Sequence, residues 1–249
     1  MDNVGCGDET VFLSICAPAY NEEQTIERVV RGWIEVARAS GQQCEIVIGD
    51  DGSTDRTGTI LIELQKEFPC IRVVTLPENR GYGAALSAAV RAARGQHVLT
   101  LDSDGQFDAA EYRGLLDEMN RGDFDVVTGY RRQKADRLSR VVADRTMNLI
   151  VRTLFGLRLR DTNCALKLLR GTVAHKLTVE ARGFATPTEI LIKAQALGHR
   201  IGEVPITHHE RAGGMTKLNA LQASWQILTF LAYLKLKLVL YRERVVNSL

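Results

Sequence analysis

Leu99-Thr100-Leu101-Asp102-Ser103-Asp104-Gly105-Gln106 decides how the rest of this chain is read. The apolar run from His97 to Leu101 has the make-up of a buried strand, and it ends on two acids spaced i, i+2. Side chains alternate along a strand, so Asp102 and Asp104 share a face if the chain stays extended. Carboxylates at the end of a buried strand make a poor core and a good cation site. Hard cations such as magnesium or manganese take oxygen ligands and share them with substrate phosphates. A second reading stays open, an acidic turn that caps a helix beginning near Asp108.

Working outward, the chain alternates. Val11 to Ala17 reads as a strand broken by Pro18, and Glu22 to Ser40 has helical periodicity through Ile26, Val29, Val30, Trp33 and Val36. Cys44 to Ile48 is a strand ending in Asp50-Asp51-Gly52-Ser53-Thr54-Asp55, and a helix then runs to about Phe68. Ile71 to Leu76, Gln96 to Leu101 and Phe124 to Thr128 are further strands, separated by helices over Gly81 to Arg94 and Asp108 to Arg121. This alternation predicts an α/β fold with a mostly parallel sheet covered on both faces. Ligands bind such sheets beyond the carboxyl ends of the strands.

Three of those ends carry unusual chemistry: Pro18, Tyr20 and Glu22; Asp50 and Asp51; Asp102 and Asp104. Carboxylates repel a bare diphosphate. They accept hydrogen bonds from ribose hydroxyls and base N–H groups, and they hold a metal that carries the diphosphate. Asp55 or Ser53 also suits a simple helix cap, and Tyr20 either stacks on a base or plugs the sheet edge. Asn79-Arg80-Gly81-Tyr82-Gly83 has neither the Gly-Lys-Ser/Thr ending of a P-loop nor Gly-x-Gly-x-x-Gly spacing.

The bulk numbers exclude several classes. At 249 residues there is room for one large or two small domains, and 45% hydrophobic with 25% charged residues is ordinary for a globular protein. A net charge of +2 gives no reason to expect nucleic acid. The five cysteines are scattered without a C-x-x-C pair, which suits reduced thiols rather than a disulfide or zinc framework. The first ten residues lack the regions of a signal peptide, and no run reaches about 18 apolar residues, so no membrane-spanning helix is expected.

Ala17-Pro18-Ala19-Tyr20-Asn21-Glu22, Asp50 to Asp55, Asn79-Arg80-Gly81 and Asp102 to Gln106, in that order and on strand ends, resemble the family 2 glycosyltransferases with a GT-A fold. The Asp-x-Asp-x-Gln form is most similar to dolichol-phosphate mannose synthases and bacterial polyprenyl-phosphate glycosyltransferases. The resemblance implies that Pro18, Tyr20, Glu22 and one or both of Asp50 and Asp51 hold the nucleoside. It also implies that Asp102, Asp104 and Gln106 surround Mg2+ or Mn2+ and the donor diphosphate.

The second half is basic. Leu138 to Phe155 reads as a helix on which Arg137, Arg140, Arg145 and Arg152 fall within an arc of roughly 140°. Such a face suits a membrane surface or polyanion, or is an ordinary solvated one. Arg160-Asp161-Thr162-Asn163-Cys164-Ala165-Leu166-Lys167 resembles the family's acceptor-side segment, with Asn163, Cys164 and Leu166 where relatives usually have small and aromatic residues. Glu189 lies on a helix starting near Pro187, in a region where many polysaccharide-building relatives place a general base; orienting a basic residue is its other reading. His208 to Lys217 is, by resemblance, the loop that closes over the donor diphosphate, with Arg211 and Lys217 as its cations. His208 and His209 are adjacent and diverge on a strand, a poor metal pair. Leu218 to Tyr241 reads as an amphipathic helix lying in a membrane interface, or packing on the domain or on a second copy.

The expectation is therefore a GT-A catalytic domain over 1–217, with a nucleotide-binding half at about 11–130 and an acceptor half at about 131–217, followed by the helix over 218–249. Its expected activity is inverting, metal-dependent transfer of a hexose from GDP-mannose or a UDP-hexose to a polyprenyl or dolichyl phosphate. The expected setting is peripheral, at the cytoplasmic membrane face, with a homo-oligomer possible and no nucleic acid. The acceptor phosphate is already anionic, so a cationic cradle replaces a base: Arg131 and Arg140 hold it, with Lys167, Arg211 and Lys217 in support. Asp102, Asp104 and Arg131 carry catalysis. Two alternatives stand beside this: a soluble transferase with Glu189 as base, and a non-catalytic nucleotide-sugar-binding module.

Overall fold

The computed structural model describes residues 10–131, 138–209 and 220–243. Among them lies one seven-stranded sheet. Its strands are β1 (Leu13–Ala19), β2 (Cys44–Asp50), β3 (Ile71–Thr75), β4 (His97–Thr100), β5 (Val126–Arg131), β6 (Lys167–Arg170) and β7 (Ile201–Ile206). The spatial order is β3-β2-β1-β4-β6-β5-β7, and only β6 runs antiparallel to its neighbours. The order reverses at β1 and β4, the switch point where a crevice opens in such sheets.

Strand alternation sorts the side chains into two cores. Leu13, Ile15, Ile46, Ile48, Leu99 and Leu101 face one core, built with α1 (Ile26–Ala39), α2 (Thr57–Glu67) and α4 (Tyr112–Gly122). Cys16, Val47 and Val98 face the other, built with α3 (Tyr82–Ala92), α5 (Leu138–Phe155), α7 (Thr186–Ala196) and α8 (Ala220–Arg242). The short α6 (Gly171–Ala174) follows β6 directly. Small residues let α3 lie close on the sheet: a Cβ at Gly49 would stand 2.0 Å from the Ala85 carbonyl oxygen.

Three features differ from the sequence reading. Pro18 does not break β1, which runs on to Ala19. The β1–β4 pairing ends at Cys16, so the N–H that Pro18 lacks falls beyond it. Two strands went unread. β6 is only four residues long, and β7 carries Gly202 and Pro205, which dilute its β signature. Finally, α8 is apolar on both faces rather than amphipathic. Leu231, Leu234 and Leu238 are buried in the second core, while Trp225 (70% exposed), Leu228, Leu236 and Val239 form an outward stripe. Among the described residues no helix is long and apolar enough to cross a membrane.

Candidate active site

The carboxyl ends of β1, β2 and β4 meet as the sequence implies, and their loops are fastened to one another. Asn21 takes a left-handed conformation (φ 53°) and exchanges hydrogen bonds with Thr54. The Glu22 N–H donates to Thr57 Oγ1 at 2.8 Å, and the Glu22 carboxylate accepts from Thr25 Oγ1. Asp55 accepts the Thr57 N–H, the capping role foreseen for it. Tyr20 remains 42% exposed at the mouth and plugs nothing.

Asp50 and Asp51 are neighbours on an extended chain, so they serve opposite faces. Asp50 Oδ1 accepts the Ser53 N–H, and its Oδ2 lies on the side of Gly58 in α2. Asp51 points the other way and receives Arg80 N–H at 2.8 Å and Gly81 N–H at 2.9 Å. Both are buried. Asp51 thereby fixes the amino end of α3, where Gly81 has φ 96°, a conformation that favours glycine. Both Asp51 oxygens are engaged by main chain, and so is Asp50 Oδ1.

The first residue of α3 supplies what the sequence reading missed. Tyr82 Oη donates to Asp102 Oδ1 at 2.8 Å. Burial, then the Asp102 and Asp104 charges, hold the Tyr82 hydroxyl well above its ordinary range, so it stays a donor. Ser103 Oγ donates to the Pro18 carbonyl at 2.7 Å, tying the ends of β4 and β1 together across the switch point. Asp104 Oδ1 accepts the Gln106 N–H over Gly105. Burial and the neighbouring Asp104 push Asp102 up to about 6. That like-charge conflict is one a divalent cation relieves, so the donor set fits a hard metal. Among the described residues no three His, Cys, Asp or Glu gather as a metal cage. One or two carboxylates completed by substrate phosphate is the arrangement typical of magnesium.

Antiparallel β6 brings the basic side of the site. Lys167 pairs in register with Thr100 and Thr128, so the segment before it reaches the carboxyl ends of β4 and β5. Asn148 on α5 holds that segment through Arg160 O, Thr162 N and Thr162 Oγ1. Arg131 grips Asp161 with two bonds, Nε–Oδ2 at 2.6 Å and Nη2–Oδ1 at 3.0 Å, both side chains nearly buried. Lys167 is wholly buried and donates to the Cys164 carbonyl. Burial lowers its pKa to about 8 despite Asp161 and Asp102 nearby. Lys167, expected to touch an acceptor phosphate, is thus enclosed and its ammonium is turned to main chain.

Gln106 turns its amide nitrogen to the His209 carbonyl, and His209 N–H returns a bond to Gln106 O. The residues that follow, including Arg211 and Lys217, lie outside the described residues, as does the side chain of Arg140. Glu189 is also buried: its carboxylate accepts from the main chain of Glu180 and Ala181 and pairs with Lys193 at 2.8 Å. This is the orienting role among its two readings. No pattern singled out Asn148, and Asp161 stood in a quoted motif without a task.

The model of glycosyl transferase family 2 matches residues 14–175. A dodecaprenyl-phosphate galacturonate synthase from Rhizobium johnstonii is 30% identical over 84% of this chain, which spans 62% of that relative's length. An undecaprenyl-phosphate 4-deoxy-4-formamido-L-arabinose transferase from Pectobacterium atrosepticum is 30% identical over 93% of this chain and 71% of its own. The crystal structure of glucosyl-3-phosphoglycerate synthase from Mycobacterium tuberculosis, with Mn2+, UDP-glucose and glycerol 3-phosphate, aligns with TM-score 0.68 and 25% identity. That alignment covers 96% of this chain and 82% of the other. The matched span holds the fastened loops, the Asp102–Asp104 pair and β6, and this chain belongs to glycosyl transferase family 2.

Proposed function

We propose that this protein transfers a hexose, with inversion, from a nucleotide sugar (GDP-mannose or a UDP-hexose) to a polyprenyl or dolichyl phosphate. The observation that carries the proposal is the Asp102–Asp104 pair at the switch point, Asp104 buried and Asp102 partly so, backed by Lys167 and by the Arg131–Asp161 pair. The relatives named for dodecaprenyl and undecaprenyl phosphate support the acceptor class.

In this reading Pro18, Tyr20, Glu22, Asp50 and Asp51 shape the nucleoside side, with Tyr20 exposed to stack on the base. Asp102 and Asp104, with Gln106 beside them, would hold Mg2+ or Mn2+, which when bound would supply Lewis-acid neutralisation of the leaving diphosphate. Tyr82 aims Asp102 and the Gly105 turn aims Asp104. An oxygen of the acceptor phosphate attacks the anomeric carbon from the face opposite the diphosphate. The bond from that carbon to the diphosphate breaks, and the nucleoside diphosphate leaves with its electrons. The phosphate is already ionised, so no residue removes a proton. Arg131 and Lys167 set a positive field behind the attacking phosphate, and Arg140, Arg211 and Lys217 are assigned to the same anionic partners. The reading with Glu189 as base is the weaker one, because that carboxylate is buried against Lys193 and two main-chain amides.

The outward stripe of α8, with exposed Leu149, Leu154 and Arg152 on α5, supports peripheral attachment to the cytoplasmic face of a membrane. A panel of labelled GDP- and UDP-sugars, assayed with magnesium or manganese and a short polyprenyl phosphate, tests the activity. Metal-dependent labelled lipid is expected. Donor hydrolysis without lipid product would redirect the assignment to another acceptor.

A further inference from the structure

The loop over 180–185 is braced far more heavily than a surface connection needs. Lys193 and Glu189 are both buried, an arrangement that costs desolvation and that apolar residues would replace without loss of stability. Lys193 Nζ bonds Glu189, Glu180 and the Thr178 carbonyl, and Lys237 on α8 holds the second Glu180 oxygen at 2.7 Å. Glu189 in turn holds the main-chain amides of Glu180 and Ala181. The bracket fixes the loop against the amino end of α3. A Cβ at Gly83 would fall 1.8 Å from the Ala181 carbonyl oxygen, and one at Gly81 would fall 2.3 Å from that of Arg182.

What the bracket presents is an amphipathic lip. Arg80 and Arg182 flank Gly81 from two separate segments, and both are exposed. Among the described residues neither side chain pairs with a carboxylate. Phe184, two residues on, is 49% exposed on the same rigid loop. Of the cations first assigned to an acceptor, Lys167 is wholly buried and Arg131 is committed to Asp161, while the side chain of Arg140 lies outside the described residues. Arginine forks suit phosphate, and an exposed aromatic beside them suits a hydrocarbon chain.

We infer that Arg80 and Arg182, together across Gly81, bind the phosphate of an isoprenoid phosphate, and that Phe184 receives the first units of its chain. This rests on the acceptor class proposed above. The lip lies between α8 and the acid pair: Lys237 ties the loop to α8, and Tyr82, next to Gly81, reaches Asp102. A lipid held there by α8 would carry its phosphate to the crevice.

Calorimetric titration of the full chain with farnesyl phosphate tests the site without requiring turnover. Arg80→Ala and Arg182→Ala are each expected to weaken farnesyl phosphate about tenfold, a typical loss for one charge-assisted contact. UDP and GDP affinities should stay within about twofold. Phe184→Ala should weaken farnesyl phosphate while sparing inorganic phosphate, which has no chain to lose. Wild-type protein that does not bind farnesyl phosphate, or arginine variants that bind it normally, would overturn the inference. A parallel loss of UDP or GDP affinity would also overturn it, assigning the pair to the donor diphosphate. Protein that binds farnesyl phosphate through this lip yet forms no glycolipid would refute the proposed transfer and leave the lip standing.

Discussion

Asp161 and Arg131 are the pair on which the basic half of the site hinges. Asp161→Asn strands a nearly buried guanidinium and should cost about 3 kcal/mol of stability, measured by urea denaturation. The cysteines give a second check. Burial pushes Cys164 up to about 11 and raises Cys16 further, so neither should react with iodoacetamide at neutral pH in the folded state, as mass mapping would reveal. At this scale the sequence showed where chemistry sits better than what each atom does. The Asp102–Asp104 pair was legible as a place and not as a geometry, because β4 ends at Thr100 and the chain turns at Ser103 and Asp104 instead of staying extended. Asp50 and Asp51 looked like one acidic feature, yet adjacency on a strand sends them to α2 and α3 respectively. Lys167 looked like a substrate cation, and only the pairing of β6 between β4 and β5 reveals that it is buried.

Among the elements, α3 is the part whose placement matters most. It rests on Gly49, is pinned by Asp51 and carries Tyr82 to Asp102. Gly49→Ala should lift it from β1 and β2, costing about 1–3 kcal/mol by thermal denaturation and lowering activity with it. The α7 bracket makes a contrasting prediction. Glu189→Gln should destabilise by about 3 kcal/mol in urea denaturation, because the buried Lys193 then keeps only the half-exposed Glu180 as an anionic partner. The helices and the parallel strands were readable from period and punctuation. β6 was not, because four residues carry too little pattern and its antiparallel direction is decided by its partners. The reading of α8 as amphipathic failed for a related reason: a helix with one face in a core and another outward needs apolar residues on both.

The described residues form a mostly parallel sheet with its candidate site along one edge and an apolar helix face outside it. If that face seats on a membrane, Trp225→Glu with Leu236→Glu should reduce co-flotation with anionic liposomes roughly tenfold at low salt. Equal flotation of variant and wild type would contradict the attachment. The central claim is that the acid pair and a divalent cation drive sugar transfer to an isoprenoid phosphate. The most direct measurement is labelled sugar extracted with polyprenyl phosphate, for wild type and Asp104→Asn, with magnesium or manganese and then with excess chelator. Wild type with metal should yield glycolipid, abolished by chelation and at least about a hundredfold lower in Asp104→Asn. Glycolipid formed at a comparable rate by Asp104→Asn, or undiminished under chelator, would contradict it.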